Sequence, residues 1–413
     1  MTRIVSGPEA SEMIERVAAR GQQVGASDSQ AQRIVNEVRQ SGDSALRRFA
    51  EQWDGLCSQQ PMLLSKQELA GARRALSPDL RRAVMQSAEN IRRFCELQKP
   101  LSWTRSRAGI TLGQIVKPLE SVGCYIPGGR YPLLSTVLMT VIPAQVAGVK
   151  QIRVVSPKPS PEVLGAAAML GVREFYRIGG AQAIAALAYG TESIPRVDKI
   201  VGPGNAYVTA AKRLVAFDCA IDFLAGPTEA VILSEHGHAE FIASDLIAQA
   251  EHDVDALAFF ITTSRKLAQA VVEVLHCLAQ RNPTAKASLE KGAIFLASSK
   301  AQAREWANRV APEHITVDEE HAPFIQNAGS IFVGDYSAQA AGDYASGPNH
   351  VLPTAGQARF RGGLSVLDFV KIISVQKLSR RGLRSIAPAI ECLATAEGLQ
   401  GHADSIRVRR AHA

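Results

Sequence analysis

The spacing of apolar residues divides the chain into two kinds of sequence. Over residues 8–98 the apolar positions recur every three or four residues, which predicts helices with one buried face. Ser41-Gly42-Asp43 interrupts this pattern, and a further helix is predicted from about Pro78 to Cys95. Residues 109–126 are predicted to be extended, because their apolar residues no longer follow the helical spacing.

Beyond residue 126, short apolar runs of strand length alternate with segments of helical spacing. Strands are predicted at 152–156, 174–178, 199–201, 230–234, 257–262, 293–297 and 330–333. Helices are predicted near 136–147, 161–169, 181–188, 205–214, 239–252, 264–279, 299–309 and 378–397. This alternation is typical of an α/β fold with parallel sheets covered by helices, in which ligands bind at the carboxyl ends of strands.

The composition fits a globular protein of two or three domains. The chain has 413 residues, of which 46% are hydrophobic and 21% charged. A chain of this length buries roughly 70–75% of its unfolded surface, so we expect any metal to serve function rather than folding. No apolar run reaches ~18 residues, and the first residues lack the apolar core of a signal peptide, so no membrane association is expected.

Charge and cysteine usage narrow the compartment and the partners. The six cysteines are scattered without a CxxC pair, which is typical of reduced thiols in a cytoplasmic protein. The net charge of +7 is spread along the chain, with no basic block interleaved with aromatic residues. Nucleic acid is therefore not expected as a partner, whereas an anionic small molecule fits the mild positive field.

A candidate metal-binding pair closes the predicted helix at 239–252. Gln249 and His252 are three residues apart, so they share one face of the helix. An amide oxygen and an imidazole nitrogen directed at one point suit a divalent metal such as zinc. The alternative is a solvated helix end, because two polar residues on a helix do not define a site.

Four glycine-containing turns lie where a predicted strand meets a neighbouring element, at residues 125–130, 179–182, 202–205 and 225–229. Backbone amides at such turns bind phosphate groups, aided by the N-terminus of the next helix. The alternative is that they are tight connections between strands and helices. The GxGxxG dinucleotide motif is absent, because Tyr207 stands where the third glycine is required.

Three further segments carry residues suited to proton transfer or ligand binding. Glu313-His314 places a carboxylate beside an imidazole, just before a short predicted strand. Adjacent strand residues point to opposite faces, so both reach one site only if the backbone bends there. The segment 342–350 is predicted to be a loop containing Asp343 and His350, and the last predicted helix is followed by the segment 397–402.

Together these segments resemble the histidinol dehydrogenase family, whose members depend on zinc and NAD. The resemblance extends from about residue 25 to 410 and rests on many separate motifs in the family's order. The matching stretches are 125–129 with Ser135, 179–187, 197–208, 225–229, 244–252, 312–314, 342–353, 363–370 and 396–402.

The resemblance implies a role for each matching residue. It implies zinc ligands at Gln249, His252, Asp343 and His402, and a catalytic pair in which His314 takes protons and Glu313 activates water. It implies substrate contacts at the same zinc-ligand positions, at Glu313, and at Ser135, Thr228, His350 and Glu397. It implies NAD contacts at Tyr125, Gln182 and Asn205, and a homodimer in which Glu397 and His402 complete the neighbouring subunit's active site.

The expected reaction is the oxidation of an amino alcohol, L-histidinol, to the aldehyde and then to the carboxylate, the last step of histidine biosynthesis. Alternatives remain open: a paralogue oxidising another small polar alcohol such as a sulfonated diol, a non-catalytic nucleotide-binding protein, or a zinc hydrolase. Thr228 stands where serine is usual in the family, which retains the hydroxyl and adds a methyl group. Arg130 beside the first glycine-rich turn is a group that could meet an anionic substrate.

The predicted fold is α/β, with two Rossmann-like parallel-sheet domains and a small helical tail. Residues 1–24 are predicted as an N-terminal helical extension. Residues 25–120 and 230–365 are predicted as the first Rossmann-like domain, which carries the catalytic pair and the metal ligands. Residues 121–229 are predicted as the NAD-binding domain, and residues 366–413 as the tail that completes the partner's site.

Overall fold

A computed structural model describes residues 3–21, 26–128 and 132–412. The strands are β1 (Arg3–Ser6), β2 (Trp103–Arg107), β3 (Ile110–Pro118), β4 (Ser121–Tyr125), β5 (Gln151–Val155), β6 (Glu174–Tyr176), β7 (Lys199–Val201), β8 (Ala220–Ile221), β9 (Glu229–Leu233), β10 (Leu257–Thr262), β11 (Ala293–Leu296), β12 (His314–Val317), β13 (Ser330–Val333) and β14 (Val370–Leu378). Arg130, predicted as a candidate anion contact, lies outside the described residues.

The helices account for most of the remaining chain, with single turns of 3-10 helix at Ala322–Phe324, Gln357–Arg359 and Val366–Phe369. They are α1 (Gly7–Ala18), α2 (Ala26–Trp53), α3 (Lys66–Ala75), α4 (Pro78–Gln98), α5 (Leu134–Ala147), α6 (Pro161–Met169), α7 (Gly180–Tyr189), α8 (Ala206–Val215), α9 (Ala239–Ala250), α10 (Arg265–Ala279), α11 (Pro283–Leu289), α12 (Lys300–Val310), α13 (Gln339–Tyr344), α14 (Arg380–Ala396) and α15 (Gln400–Ala411). No helix within the described ranges is long and apolar enough to cross a membrane.

The first of two compact units comprises Met1–Gln98 and Glu120–Phe369 and contains two parallel sheets. One sheet has six strands in the order β1-β11-β10-β9-β12-β13, and the other has five in the order β6-β5-β4-β7-β8. Every neighbouring pair in both sheets is parallel. The predicted α/β class is therefore confirmed, and helices provide the crossover connections that parallel strands require.

The second unit comprises Lys99–Leu119 and Val370–Ala413. Its strands form an antiparallel sheet in the order β14-β3-β2, in which Val370 pairs with Pro118 and Leu378 with Ile110. Helices α14 and α15 pack against each other. The tail prediction therefore needs a correction, because residues 99–119 join the C-terminal residues in this sheet rather than the first Rossmann-like domain.

The N-terminal region also differs from the prediction of a helical extension over residues 1–24. Arg3–Ser6 forms β1 and pairs in parallel with β11 at the edge of the six-stranded sheet. Helix α1 then packs on α12. A four-residue strand has too little alternation to be recognised locally, and its partner lies 290 residues later in the sequence.

Helix α2 belongs with the five-stranded sheet, although the sequence assigns residues 25–120 to the first Rossmann-like domain. It packs against α7 and α8, and its Leu46 and Phe49 share a core with Ala183 and Ile184. Helical periodicity identifies the buried face of a helix but not the surface that covers it. The predicted interruption at Ser41-Gly42-Asp43 is confirmed, since Gly42 has a φ of 51° inside α2.

The predicted strands and helices from residue 126 onward match the structure within about two residues at most of their ends. The strands at 199–201, 257–262 and 330–333 have the predicted bounds. The segment 342–350 is an exception, because its first three residues lie in α13 rather than in a loop. Glycine is needed at position 342, because a β-carbon there would lie 2.6 Å from Cζ of Phe332 and would clash with the ring.

A buried ion pair fixes the turn that follows β7. The ammonium of Lys212 on α8 pairs with the carboxylate of Asp222, and the two side chains are 2% and 0% exposed. Lys212 Nζ also donates to the carbonyl of Gly202 (3.0 Å), and the Gly202 amide donates to Asp222 Oδ2 (2.7 Å). The amide of Phe223 donates to Asp222 Oδ1 (2.6 Å), so both charges are hydrogen-bonded as well as paired.

We predict that Lys212→Met destabilises the protein by roughly 3–5 kcal/mol, because it leaves the Asp222 carboxylate buried without a counter-charge. The free energy of unfolding in urea measures the effect. Lys291→Met is the matched control, since the Lys291–Asp255 pair is 48% and 63% exposed, and its loss should cost about 0–1 kcal/mol. Equal losses for the two variants would contradict a special role for the buried pair.

Candidate active site

Glu313 and His314 lie where α12 gives way to β12. Helix α12 ends at Val310, the next residue, Ala311, has a left-handed backbone (φ 50°), and β12 begins at His314. Glu313 precedes the strand, so the strict alternation of strand side chains does not yet apply to it. Both side chains line one cavity of about 180 Å³. The backbone therefore bends between α12 and β12, as is required for Glu313 and His314 to reach the same site.

Two hydrogen bonds hold the carboxylate of Glu313. The hydroxyl of Thr228 donates to Glu313 Oε2, and the backbone amide of Glu229 donates to the same oxygen (3.2 Å). Burial raises the pKa of Glu313, while the charge of His314 and the Thr228 hydroxyl act in the opposite direction. A buried carboxyl group with a raised pKa is suited to accept a proton from water.

His314 lies between two carboxylates. Its Nδ1 is 3.9 Å from Glu313 Oε2, and its Nε2 is 3.5 Å from Asp343 Oδ1. Burial lowers the pKa of His314, but the two carboxylates outweigh it and hold the pKa above its usual value. Among the residues that the structure describes, Nδ1 has no hydrogen-bond partner although it is buried. One nitrogen of the imidazole is therefore available for a hydrogen bond to another molecule in the cavity.

His350 is held in one tautomer by its neighbours. Its Nδ1 donates to the carbonyl of Asp343 (2.8 Å), and its Nε2 is 3.3 Å from the hydroxyl of Thr136. Burial lowers the pKa of His350, which favours the neutral ring with Nε2 as an acceptor. Thr136 has no signal in the sequence, since it is one of three hydroxyl residues in an otherwise largely apolar helix.

Gln249 and His252 each retain one side-chain atom that could bind a metal ion. Gln249 Nε2 donates to the Thr228 hydroxyl (2.7 Å), which leaves Oε1 as the free acceptor. His252 Nδ1 donates to the carbonyl of Ala248 (2.9 Å), which leaves the lone pair on Nε2. A backbone carbonyl that orients a histidine in this way is typical of metal-binding histidines.

The structure brings most predicted residues of the first unit to one place. The same cavity is lined by Ser135, Thr228, His252, Glu313, His314, Asp343 and His350. Gln249 joins this group through its bond to Thr228. Glu397 and His402 lie in the second unit, where Glu397 directly follows α14, His402 is on α15, and both are exposed.

The three residues predicted to contact NAD line a second cavity of the first unit, of about 360 Å³. The Tyr125 hydroxyl accepts from the Gly180 amide (3.1 Å), and Asn205 caps α8. Gln182 Nε2 donates to Asp54 Oδ2 (3.1 Å), and the amide of Gly179 donates to the same oxygen (2.9 Å). Asp54 was not among the predicted residues, and its signal in the sequence is the turn pair Asp54-Gly55 after α2.

Within the described ranges, one group of three acidic or histidine residues has ligand atoms close enough to hold a metal ion, namely Asp318, Glu320 and His321. It does not coincide with the predicted ligands. The Nε of Arg304 donates to His321 Nδ1 (2.9 Å), and Lys300 Nζ pairs with Glu320 (2.7 Å). Cations therefore already contact the Glu320 carboxylate and one ring nitrogen of His321, and Asp318 Oδ2 accepts from the backbone amide of Glu235 (2.7 Å).

Two parallel sheets, with a buried carboxylate–imidazole pair lining one cavity, define an α/β protein whose cavity contains residue types suited to acid–base chemistry. A sequence model of the histidinol dehydrogenase family matches residues 18–410. The chain belongs to the histidinol dehydrogenase family.

Individual relatives match over nearly their full length. A histidinol dehydrogenase of Methanothermobacter thermautotrophicus is 46% identical over 391 residues, covering 91% of this chain and 92% of the relative. One from Aquifex aeolicus is 44% identical over 410 residues, covering 97% and 96%. The crystal structure of histidinol dehydrogenase from Elizabethkingia anophelis superposes with a TM-score of 0.94 at 34% identity, covering 99% of this chain and 98% of that one.

We predict that Thr228→Val moves the acidic limb of the pH profile of NADH formation to higher pH. The Thr228 hydroxyl favours the charged form of Glu313, so its loss raises the pKa of that carboxyl further. A step that needs the carboxylate is then lost at a higher pH as the solution is acidified. Thr228→Ser retains the donor and should keep the original limb, whereas an unchanged limb in Thr228→Val would contradict the assignment.

Proposed function

We propose that this protein catalyses two successive NAD-linked oxidations of L-histidinol, through histidinal, to L-histidine. The observation that carries the proposal is the buried Glu313–His314 pair, which lines one cavity with His252, Asp343 and His350. Membership of the histidinol dehydrogenase family supports this substrate over other polar alcohols.

Glu313 and His314 divide the proton transfers between them. In the first oxidation, His314 takes the proton of the alcohol while a hydride leaves for NAD. In the second, Glu313 takes a proton from the water that adds to the aldehyde, and the hydrate loses a hydride to a second NAD. General acid–base help of this kind contributes ~10²–10⁴-fold to the rate. Ser135, Thr228, His350 and Glu397 are the further residues that we assign to substrate binding.

The proposed zinc ligands, one set per subunit, are Gln249, His252, Asp343 and His402 of the partner subunit. The free Oε1 of Gln249 and Nε2 of His252 support this set, because both are turned away from their protein partners. When bound, zinc would act as a template that holds the substrate's imidazole and amine. Tyr125, Gln182 and Asn205 would hold NAD in the second cavity.

A homodimer is part of the same proposal. Glu397 and His402 belong to the second unit, which is separate from the unit that contains the acid–base pair. We assign them to the active site of the neighbouring subunit. The cytosol as the compartment stays a prediction from the cysteine usage, and the six cysteines are free thiols.

The yield of NADH per substrate tests the reaction. We expect two NADH for each L-histidinol consumed, because the alcohol is carried through to the acid. One NADH would mean that the reaction stops at the carbonyl. No NADH with histidinol, together with rapid NADH formation from another alcohol in a panel that includes sulfonated diols, would contradict the proposed substrate.

Two substitutions separate metal binding from turnover. We predict that His402→Ala loses zinc and activity together, whereas His314→Ala retains zinc and loses turnover, because only the former removes a ligand. Zinc content by atomic emission and NADH formation measure the two properties. Loss of zinc in His314→Ala, or its full retention in His402→Ala, would contradict the ligand set.

Mixing the two inactive variants tests whether the site is shared between subunits. A mixed dimer has one site that combines the intact His314 of one chain with the intact His402 of the other. Refolding the variants together should therefore restore part of the activity. If mixed dimers form and no activity returns, the site lies within one chain.

A further inference from the structure

A largely buried salt bridge connects the N-terminal region to the strand that begins beside the acid–base pair. Arg20 follows α1, and its Nε donates to Glu229 Oε1 (2.6 Å) while its Nη2 binds Oε2. The two side chains are 16% and 2% exposed. The guanidinium therefore holds both carboxylate oxygens in the bidentate geometry that gives arginine its directional specificity.

Glu229 connects this salt bridge to Glu313. It is the first residue of β9, and its backbone amide donates to Glu313 Oε2 (3.2 Å). Its side chain also accepts from the amide of Ala355 (2.8 Å), so it is fixed from two directions. Thr228, the neighbouring residue, donates its hydroxyl to the same oxygen of Glu313. The Arg20 side chain thus fixes the dipeptide that supplies both hydrogen bonds to Glu313.

The negative charge of Glu229 would disturb Glu313 if Arg20 did not neutralise it. It acts on Glu313 as a like charge, which raises the pKa of that carboxyl, although burial is the larger cause. A buried carboxylate without its cation is expensive, so the chain near Glu229 would rearrange if Arg20 were removed. The first residues to move would be Thr228 and Glu229.

We propose that Arg20 is a positioning residue for Glu313, and that it acts mainly on the second of the two oxidations. In that step water adds to the aldehyde carbon and Glu313 takes a proton from it; the hydrate then gives a hydride to NAD and a proton to a base, yielding the carboxylate. The first oxidation needs no water, so it depends less on where Glu313 lies. This inference rests on the proposed function.

The experiment compares the two half-reactions in Arg20→Met. We expect the kcat for histidinal oxidation to fall ~10–100-fold with little change in KM, because an ångström of misplacement costs about that much. Histidinol oxidation should fall several-fold less. With histidinol as substrate, the aldehyde should accumulate, trapped as its semicarbazone, and the yield should drop from two NADH toward one.

Arg309→Met is the matched control, because Arg309 pairs with Glu15 on α1 through side chains that are 52% and 56% exposed. It removes an arginine contact of the same helix without touching Glu229, and both oxidations should proceed at the original rates. Arg20→Lys retains the positive charge but not the bidentate contact with both carboxylate oxygens of Glu229, and it should recover part of histidinal oxidation. If Arg20→Met does not fold, the pair Arg20→Met/Glu229→Gln removes both charges and permits the same comparison.

The results distinguish this inference from the proposed function. If the unmodified protein forms no NADH from histidinol, the proposed function fails. If it does, but Arg20→Met slows both oxidations equally or still yields two NADH without free aldehyde, the positioning role is refuted. An effect of Arg309→Met as large as that of Arg20→Met would also refute it, since the cause would then be a general weakening of α1.

Discussion

The parallel register between β9 and β12 is the constraint on which the contacts of Glu313 and His314 depend. His314 stands opposite Ala230, so the residues that precede this pair, Glu229 and Glu313, lie side by side at the amino ends of the two strands. In this register the backbone amide of Glu229 and the hydroxyl of Thr228 both donate to Glu313 Oε2. A shift of one residue would turn His314 to the opposite face and remove the contact.

The two cavities lie at opposite ends of the strands in their respective sheets. In the five-stranded sheet, Tyr125 ends β4, Gln182 follows β6 and Asn205 follows β7, so the cavity that they line lies at the carboxyl ends, as is general for parallel sheets. In the six-stranded sheet, Thr228 and Glu313 precede β9 and β12, at the amino ends. The expectation that ligand-binding residues lie at the carboxyl ends of strands therefore holds for the proposed cofactor residues. It does not hold for Glu313 and His314.

The sequence predicts local structure well and long-range pairing poorly. The bounds of β7 and β10 and the break at Gly42 follow from neighbouring residues, because apolar periodicity and glycine act within one element. The pairing of β1 with β11 and the packing of α2 on α7 depend on residues far apart in the chain. No pattern within 20 residues contains that information.

The same distinction applies within the site. Glu313, His314, His252, Asp343 and His350 are recognisable because their residue types carry chemistry wherever they lie, and the family resemblance assigns each of them a role. Asp54, Thr136 and Arg20 are different, since each acts by holding a residue that comes more than 100 positions later in the sequence. Their residue types are common on surfaces and in caps, so their roles become visible only when the partner is in place.

Hydrogen-bond direction connects the acid–base pair to the proposed metal ligands. An ionised Glu313 can only accept, so the Thr228 hydroxyl must donate to it. The Thr228 oxygen is then left to accept, which requires Gln249 to present its Nε2 and leaves Oε1 facing away. One hydroxyl therefore orients both the carboxylate and the amide. Threonine serves as well as serine here because the added methyl group takes no part in either bond, whereas a residue without a hydroxyl would release both partners at once.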